Sequence, residues 1–284
     1  MNEATERNLK RKSQFIDNVQ LVDGVPLFSW IDLNVTELCG RNCVFCPRHE
    51  GQYPNRNLNM SVGLAEKLAH ELFFLDYEGT VVFCGFGEPT LHPEFAQLVE
   101  AFGRRNLNLE LVTNGDSLDA SRIAELFAVG IIFFAVSLYD GPEQLEHFQR
   151  MFEQAAVPTS CYALRDRWYG AVEDYGLKLT NRAGKVNVGR QPSVNQSRPC
   201  FYTAYSTIID WNGDVLLCPQ DWHKQKVFGN VHDQSLFDIW KNSRDLSGMR
   251  TRLSQGKRTD FPCSLCNADG CLHGANHVEA WRKK

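Results

Sequence analysis

The amino-acid sequence predicts an α/β protein, in which strands and helices alternate, followed by a smaller C-terminal unit built differently. From about residue 28 to 164, short apolar runs alternate with amphipathic stretches in the order of repeated strand and helix units. After residue 199 the pattern changes, and Asn212-Gly213 between two apolar runs is a strong hairpin signal. The first pattern predicts parallel strands that close into a full or partial barrel, with its chemistry at their carboxyl ends.

The elements of the predicted barrel follow from their apolar patterns. The expected strands cover residues 29–35, 80–84, 107–113, 131–138 and 157–164. Ser61 is the expected N-cap of a helix with leucines three or four residues apart, and Asp119 and Ser121 open another helix. Residues 165–199 lose this periodicity and are interpreted as a connector. In the C-terminal unit, the expected hairpin joins runs 201–210 and 215–218, and a helix is expected over 234–253.

Composition and charge argue against several classes of function. With 284 residues, 43% of them apolar, the chain can bury a large core, and its net charge of -4 provides no basic surface for nucleic acid. The first 27 residues contain no signal-peptide core, and no stretch approaches the length of a membrane span. We therefore expect a soluble, cytoplasmic protein without nucleic-acid or membrane partners. Its expected parts are a polar N-terminal extension (1–27), a barrel with its connector (28–199) and a C-terminal domain (200–284).

Ten cysteines are the most informative residues of the chain. Without an export signal a disulfide framework is not expected, so the thiols are available for metals or catalysis. They stand at positions Cys39, Cys43, Cys46, Cys84, Cys161, Cys200, Cys218, Cys263, Cys266 and Cys271. Cys84 and Cys161 lie inside apolar strands, where a cysteine is ordinarily a small buried hydrophobic residue. The other eight form one set near each end of the chain.

The first set, Cys39, Cys43 and Cys46, lies on one loop directly after the first expected strand. A 4Fe-4S cluster has four irons, so three thiolates leave one iron open to another molecule. The amino and carboxylate groups of S-adenosylmethionine (SAM) can chelate such an iron, and an electron from the cluster then cleaves the sulfonium. Structural zinc is the competing interpretation, but zinc prefers four closed ligands.

The spacing Cys-x3-Cys-x2-Cys, with Phe45 before the third cysteine, resembles the signature of the radical SAM superfamily. The resemblance continues at residues 85–89, which are similar to the superfamily's Gly-Gly-Glu-Pro motif with Phe86 in place of the first glycine. It implies that Glu88 hydrogen-bonds the ammonium group of SAM. The other SAM-binding residues that the resemblance implies are Phe45, Gly87, Pro89, Thr113, Asn114 and Ser137. Turn chemistry explains the last three residue types nearly as well.

The second set, Cys200, Cys218, Cys263 and Cys266, offers four thiolates and therefore a closed site. Structural zinc is the alternative, because a Cys-x2-Cys pair suits it. The arrangement resembles the auxiliary-cluster region known as SPASM, in its short one-cluster form called twitch. This resemblance implies a partial (β/α)6 barrel of the TIM type with a small C-terminal α+β auxiliary-cluster domain. The implied cofactors are two 4Fe-4S clusters and SAM, with an external electron donor such as a flavodoxin or ferredoxin.

Within this subgroup the chain resembles dehydrogenases that oxidise a carbinol of an aminocyclitol. Asn181-Arg182 is one of the segments that carry this resemblance. The resemblance implies a small polar substrate, an aminocyclitol or a sugar, that Arg182 contacts. A solvated surface arginine is the alternative. Residues 219–221 depart from the pattern of those dehydrogenases, which leaves the substrate and the reaction open.

Cys271 is surplus to a four-thiolate site. It is an idle thiol, a cluster ligand in place of one of the four, or a hydrogen-atom donor like those of radical SAM epimerases. Dehydrogenation and epimerisation therefore both remain open, and both begin with a 5'-deoxyadenosyl radical; the resemblance favours dehydrogenation. A peptide-modifying SPASM enzyme and a non-enzymatic iron-sulfur or zinc scaffold are the alternative functions.

Overall fold

The structure, a computed structural model, describes residues 3–51, 53–167 and 179–284. The helices are α1 (Glu3–Ile16), α2 (Val62–Phe74), α3 (Phe95–Gly103), α4 (Ala120–Ala128), α5 (Glu143–Gln154), α6 (Tyr202–Tyr205), α7 (Leu236–Asn242), α8 (Arg244–Ser254) and α9 (Ala275–Arg282). The strands are β1 (Leu21–Val22), β2 (Val25–Pro26), β3 (Trp30–Leu33), β4 (Thr80–Phe83), β5 (Asn108–Thr113), β6 (Ile131–Leu138), β7 (Tyr162–Asp166), β8 (Ser206–Ile209), β9 (Asp214–Leu216) and β10 (Val227–Asn230).

Eight of these strands form one sheet in the order β10-β9-β8-β3-β4-β5-β6-β7. The six strands from β8 to β7 are parallel, and Trp30 of β3 is paired with Thr80 of β4 on one side and Ser206 of β8 on the other. The antiparallel strands β9 and β10 extend the sheet beyond β8. Six parallel strands with intervening helices confirm the α/β prediction and the partial (β/α)6 barrel that the resemblance implied.

The alternation of side chains along the strands divides the apolar residues between two cores. Ile31 and Leu33 of β3 pack with the leucines of α2 in the larger core. Trp30 and Val82 point to the other side of the sheet, where they pack with Tyr205. Polar residues at the carboxyl ends of the strands on this second side are therefore directed toward the interior of the partial barrel.

Two helix starts were predicted from their capping residues, and both are confirmed. The Ser61 side chain accepts a hydrogen bond from the Leu64 amide at 3.2 Å, and the Asp119 side chain accepts one from the Arg122 amide at 2.7 Å. Ser121 lies inside α4. The strand expected over 157–164 begins later, at β7, because residues 159–161 form a 3-10 turn after Pro158.

The segment predicted as the first arm of a hairpin has two parts. Residues 202–205 form the short helix α6, and only β8 is extended. β8 and β9 do form the antiparallel hairpin around residues 210–213, but β8 also pairs with β3 as the sixth parallel strand. The sheet is therefore continuous across residue 200, the predicted start of the C-terminal domain.

The helix predicted over 234–253 is two helices, α7 and α8. They are separated at Ser243, whose extended backbone ends α7 and whose hydroxyl oxygen accepts from the Leu246 amide of α8 at 3.4 Å. A serine that caps the second helix explains why one continuous periodic segment changes direction here.

The N-terminal segment predicted as a polar extension contains α1 and the hairpin of β1 and β2. Ile16 at the end of α1 is buried beside Trp30, and Arg11 forms an ion pair with Glu110 of β5. The extension therefore packs onto the barrel. Among the described residues, no helix combines the length and the apolar character that crossing a membrane requires.

Candidate functional site

The loop after β3 opens onto a cavity of about 370 Å³ at the carboxyl ends of the parallel strands. All three cysteines of the first set, Cys39, Cys43 and Cys46, line this cavity. The cavity is also lined by the other residues that the resemblance assigned to SAM, apart from Pro89: Phe45, Gly87, Glu88, Thr113, Asn114 and Ser137. The structure therefore brings together residues that are up to about a hundred positions apart in sequence.

Burial sets the protonation of the first three thiols. Burial, together with the neighbouring Cys46 and Cys39 thiols, raises the pKa of Cys43 to about 12. The pKa values of Cys39 and Cys46 are also raised, again chiefly by burial. Three converging thiols in this environment become thiolates when a strong cationic partner such as iron binds them. The donor set therefore fits a cluster held through three ligands.

The turn after β4 can form only with glycine at two positions. Gly85 has a φ of +139°, and a Cβ at Gly87 would lie 2.0 Å from the carbonyl oxygen of Thr36. The next residue, Glu88, donates its amide to the Leu38 carbonyl at 2.7 Å, which fixes the turn to the cysteine loop. Phe86 fits in place of the expected glycine because its ring packs away from this contact, against Trp222.

The Glu88 carboxylate is buried and connects the ends of β4 and β5. It accepts hydrogen bonds from the Thr113 hydroxyl at 2.6 Å, the Asn114 amide at 2.8 Å and the Thr90 hydroxyl at 2.7 Å. Burial raises the pKa of Glu88, and these donors oppose that shift because they stabilise the charged form. Pro89 begins the 3-10 turn that Glu88 caps. A fixed carboxylate at this position suits recognition of an ammonium group.

Ser137 at the end of β6 has a partner that the sequence analysis did not single out. Arg165 of β7 donates from Nη2 to the Ser137 hydroxyl oxygen at 2.8 Å, and both residues line the cavity. Burial lowers the pKa of Arg165 to about 10, and among the described residues its Nε has no acceptor. Within the described part of the chain this guanidinium pairs with no carboxylate, and such a group at the cavity wall is suited to binding the carboxylate of a ligand.

Arg41, between the first two cysteines, is a second residue that the motifs did not identify. Its guanidinium donates to Asp116 after β5 at 2.7 Å and to Asp140 after β6 at 2.8 Å. The same group lies 5.0 Å from the centre of the Tyr139 ring, which in turn packs against Phe45. Arg41 therefore ties the cysteine loop to the ends of two other strands.

The four cysteines of the second set, Cys200, Cys218, Cys263 and Cys266, line a separate, smaller cavity. Burial raises the pKa of Cys200 to about 11 and of Cys263 to about 12, and that of Cys218 well above its ordinary value. The other walls are largely apolar, formed by residues such as Leu217 and Leu253. Four converging thiols in such surroundings fit a metal group that is closed to substrate.

Residues that are neighbours in sequence line the two cavities. Arg182 and Pro219 line the larger cavity, whereas their sequence neighbours Ala183 and Cys218 line the smaller one. Arg182 and Ala183 both have left-handed backbones, with φ of +46° and +53°. Two reciprocal hydrogen bonds hold this segment. The Asn181 backbone amide donates to the Asn267 side chain at 2.8 Å, and the Asn267 backbone amide donates to the Asn181 side chain at 3.3 Å.

The remaining cysteines, Cys271, Cys84 and Cys161, lie in three different surroundings. The Cys271 thiol donates to the Pro199 carbonyl at 2.8 Å, and Cys271 lines neither cavity. Cys84, expected to be a buried hydrophobic residue, lines the larger cavity, and its thiol donates to the Asp32 carboxylate at 3.3 Å. Cys161 is half-buried beside the larger core. Of these three, Cys84 therefore lines one of the two cavities formed by the described residues 3–51, 53–167 and 179–284.

Comparisons with known proteins agree with this division of the chain. A family model described as the radical SAM superfamily matches residues 33–159, and the SPASM model, described as an iron-sulfur cluster-binding domain, matches residues 200–269. A curated relative, the S-adenosyl-L-methionine-dependent 2-deoxy-scyllo-inosamine dehydrogenase of Niallia circulans, is 29% identical over 248 residues. That alignment covers 85% of this chain and 93% of the relative.

Solved structures show the same fold. The crystal structure of BtrN in complex with AdoMet (SAM) and 2-DOIA has a TM-score of 0.73 at 25% identity, and the match covers 88% of this chain and 97% of BtrN. Streptococcus suis SuiB bound to its precursor peptide SuiA has a TM-score of 0.52 at 11% identity, covering 94% of this chain and 76% of SuiB. At that identity the likeness to SuiB concerns the fold alone.

Proposed function

This chain belongs to the radical SAM superfamily and carries a SPASM domain, and we propose that it dehydrogenates a carbinol carbon of a small polar substrate, an aminocyclitol or a sugar. As a member of this superfamily it is an enzyme that uses SAM and a 4Fe-4S cluster, with an additional iron-sulfur cluster in the SPASM domain. When bound, the first cluster and SAM supply a 5'-deoxyadenosyl radical that removes hydrogen from an unactivated carbon.

The residues around the larger cavity have distinct proposed tasks. Cys39, Cys43 and Cys46 would hold the first cluster, and three thiolate ligands would leave it able to bind SAM. Glu88, fixed by Thr113 and the Asn114 amide, accepts hydrogen bonds from the SAM ammonium group. These tasks follow from the protonation and hydrogen bonding of the side chains that face the cavity.

The other end of SAM is proposed to meet β6 and β7. Ser137 and Arg165 form a hydrogen-bonded pair on the cavity wall, and the Arg165 Nε, which has no acceptor among the described residues, suits the carboxylate of the methionine moiety. Phe45 and Tyr139, whose ring centres are 5.8 Å apart, provide apolar surface beside the cysteine loop.

The division of neighbouring residues between the two cavities is the observation that favours dehydrogenation. Oxidation of a carbinol by two electrons requires an acceptor for the second electron, and here Ala183 and Cys218, next to Arg182 and Pro219 in sequence, line the cavity of the second cysteine set. Arg182 is proposed to contact the substrate from the wall of the larger cavity. Epimerisation would instead need a hydrogen-atom donor at the cavity; Cys271 lines neither cavity, and the Cys84 thiol, which does line the larger cavity, is held by the Asp32 carboxylate.

Deuterium transfer tests this function directly. Anaerobically reconstituted protein is reduced with dithionite in the presence of SAM and 2-deoxy-scyllo-inosamine deuterated at its carbinol carbons, and 5'-deoxyadenosine and the cyclitol are analysed by mass spectrometry. The proposal predicts deuterium in 5'-deoxyadenosine and a cyclitol lighter by the one deuterium and one hydrogen lost on ketone formation. Formation of 5'-deoxyadenosine with a cyclitol that regains hydrogen from solvent at the same carbon would point to epimerisation instead.

A further inference from the structure

Residues 219–226, here called the bridging loop, follow Cys218 of the second set and pack against the first cysteine loop. Lys224 of this loop contacts two carboxylates, Asp210 at 2.5 Å and Glu37. Both carboxylates are almost completely buried, with 1% and 4% of their residue surface exposed. Glu37 stands two residues before Cys39, and Asp210 directly follows β8. One ammonium group of the C-terminal domain therefore neutralises buried charge of the barrel.

One branch of this network reaches the turn that carries Glu88. Asn34 donates from Nδ2 to Asp210 at 2.6 Å, and its Oδ1 accepts from the amides of Phe86 at 2.8 Å and Gly87 at 3.2 Å. The turn packs tightly against the first cysteine loop, because a Cβ atom added at Gly87 would collide with the Thr36 carbonyl oxygen. Its orientation therefore depends on an asparagine amide that Asp210, and through it Lys224, holds in place.

The other branch reaches both ends of the first cysteine loop. The Tyr53 hydroxyl donates to the Glu37 carboxylate at 2.8 Å. Arg48, two residues after Cys46, donates from Nε to the Phe86 carbonyl at 2.7 Å and from Nη2 to the Glu37 carbonyl. The cysteine loop and the glycine turn are thus joined to each other and to Lys224.

Aromatic packing and internal hydrogen bonds keep the bridging loop in place. The Trp222 ring lies edge-on to Phe86 and to Tyr53, with ring centres 5.0 and 5.1 Å apart. The Asp221 carboxylate accepts from the amides of residues 225 and 226 at 3.1 and 3.0 Å. Lys224 itself has a left-handed backbone, with φ of +53°, a strained conformation that persists because its surroundings fix it.

We propose that Lys224 is a positioning residue for SAM binding, so that the C-terminal domain completes the SAM site of the barrel. The residue touches neither cavity and acts through two routes: Asp210 and Asn34 to the Glu88 turn, and Glu37 to the loop of Cys39. This inference rests on the proposed assignment of Glu88 and the first cysteine set to SAM and its cluster.

The test compares the affinity for SAM of reconstituted Lys224→Met, Lys224→Arg and wild-type protein, by equilibrium dialysis, at equal iron content. Lys224→Met should raise the dissociation constant roughly tenfold, the loss expected for one charge-assisted contact that no longer orients the site. Lys224→Arg should recover most of the affinity because it keeps the charge. Lys226→Met, in the same loop, is the matched control and should bind SAM like wild type.

A double variant separates positioning from simple neutralisation of buried charge. Lys224→Met with Asp210→Asn removes the surplus negative charge but also the link to the bridging loop, so it should fold and still bind SAM weakly. Wild-type SAM affinity in this double variant, or in Lys224→Met itself, would overturn the inference and leave the proposed function standing. A wild-type protein that bound no SAM would instead contradict the proposed function.

Discussion

The two cysteine sites of this chain differ in ligand number and in the chemistry of their walls. The first has the three thiols of the cysteine loop in a cavity of about 370 Å³, which Cys84 also lines and whose other walls carry Glu88, Asn114 and several arginines. The second has four thiols in a smaller cavity with mainly apolar walls. The first site can bind a polar molecule beside its metal group, whereas the second has no comparable polar surface. The comparison teaches that ligand count and wall polarity together distinguish an open cluster site from a closed one.

The largest expected effect is loss of the open site. Cys43→Ala removes one of the three proposed ligands of the first cluster, whose loop has no spare thiol, so 5'-deoxyadenosine formation should fall to background. The measurement is chromatographic quantification of 5'-deoxyadenosine from SAM under reducing conditions. Cys161→Ala, a half-buried cysteine outside both cavities, is the control and should retain activity. Persistent SAM cleavage by Cys43→Ala would remove the basis of the comparison.

Loss of the closed site should have a different result. Cys263→Ala is expected to cost about half of the iron while the first site still cleaves SAM, because the two thiol sets line separate cavities. Formation of the oxidised product should stop. Iron analysis and parallel quantification of 5'-deoxyadenosine and product check this prediction. If Cys263→Ala still gave oxidised product at the wild-type rate, the second site would be structural.

A smaller effect is expected from the polar wall of the open site. Glu88→Gln removes the negative charge and places an amide group where Thr113, Thr90 and the Asn114 amide donate hydrogen bonds. The affinity for SAM should fall roughly 10- to 100-fold, the range for a lost charge-assisted hydrogen bond. Exposed Glu94→Gln is the matched control. Equal SAM dissociation constants for the two variants would show that Glu88 does not bind SAM.

The smallest effect concerns the attachment of the open site's loop. Arg41→Met removes the ion pairs with Asp116 and Asp140, which are partly exposed, so the free energy lost should be about 1 kcal/mol. Iron release from the first site to a chelator should accelerate about fivefold. Arg104→Met, which removes a surface ion pair with Glu66, provides the control. Equal rates of iron release from the Arg41→Met and Arg104→Met variants would mean that the first cysteine loop keeps its conformation without the Arg41 ion pairs.

Local signals explain most of what the sequence predicted. The caps at Ser61 and Asp119 depend on residues within three positions, and the two cysteine sets were identified from spacing and resemblance. Arg165, Arg41 and Lys224 were missed because each belongs to no motif and acts on residues far away in sequence, up to 187 positions for Lys224 and Glu37. The role of β8 as a barrel strand was missed for the same reason, since its pairing with β3 is nonlocal.

The central claim is that one chain holds one open and one closed iron-sulfur site. Iron and sulfide analysis with electron paramagnetic resonance, with and without SAM, tests it on wild type and on a variant with alanine at positions 39, 43 and 46. About eight irons in wild type, about four in the variant, and a SAM-sensitive signal only in wild type are expected. Equal iron content in the two proteins, or a SAM-sensitive signal that survives in the variant, would contradict the account.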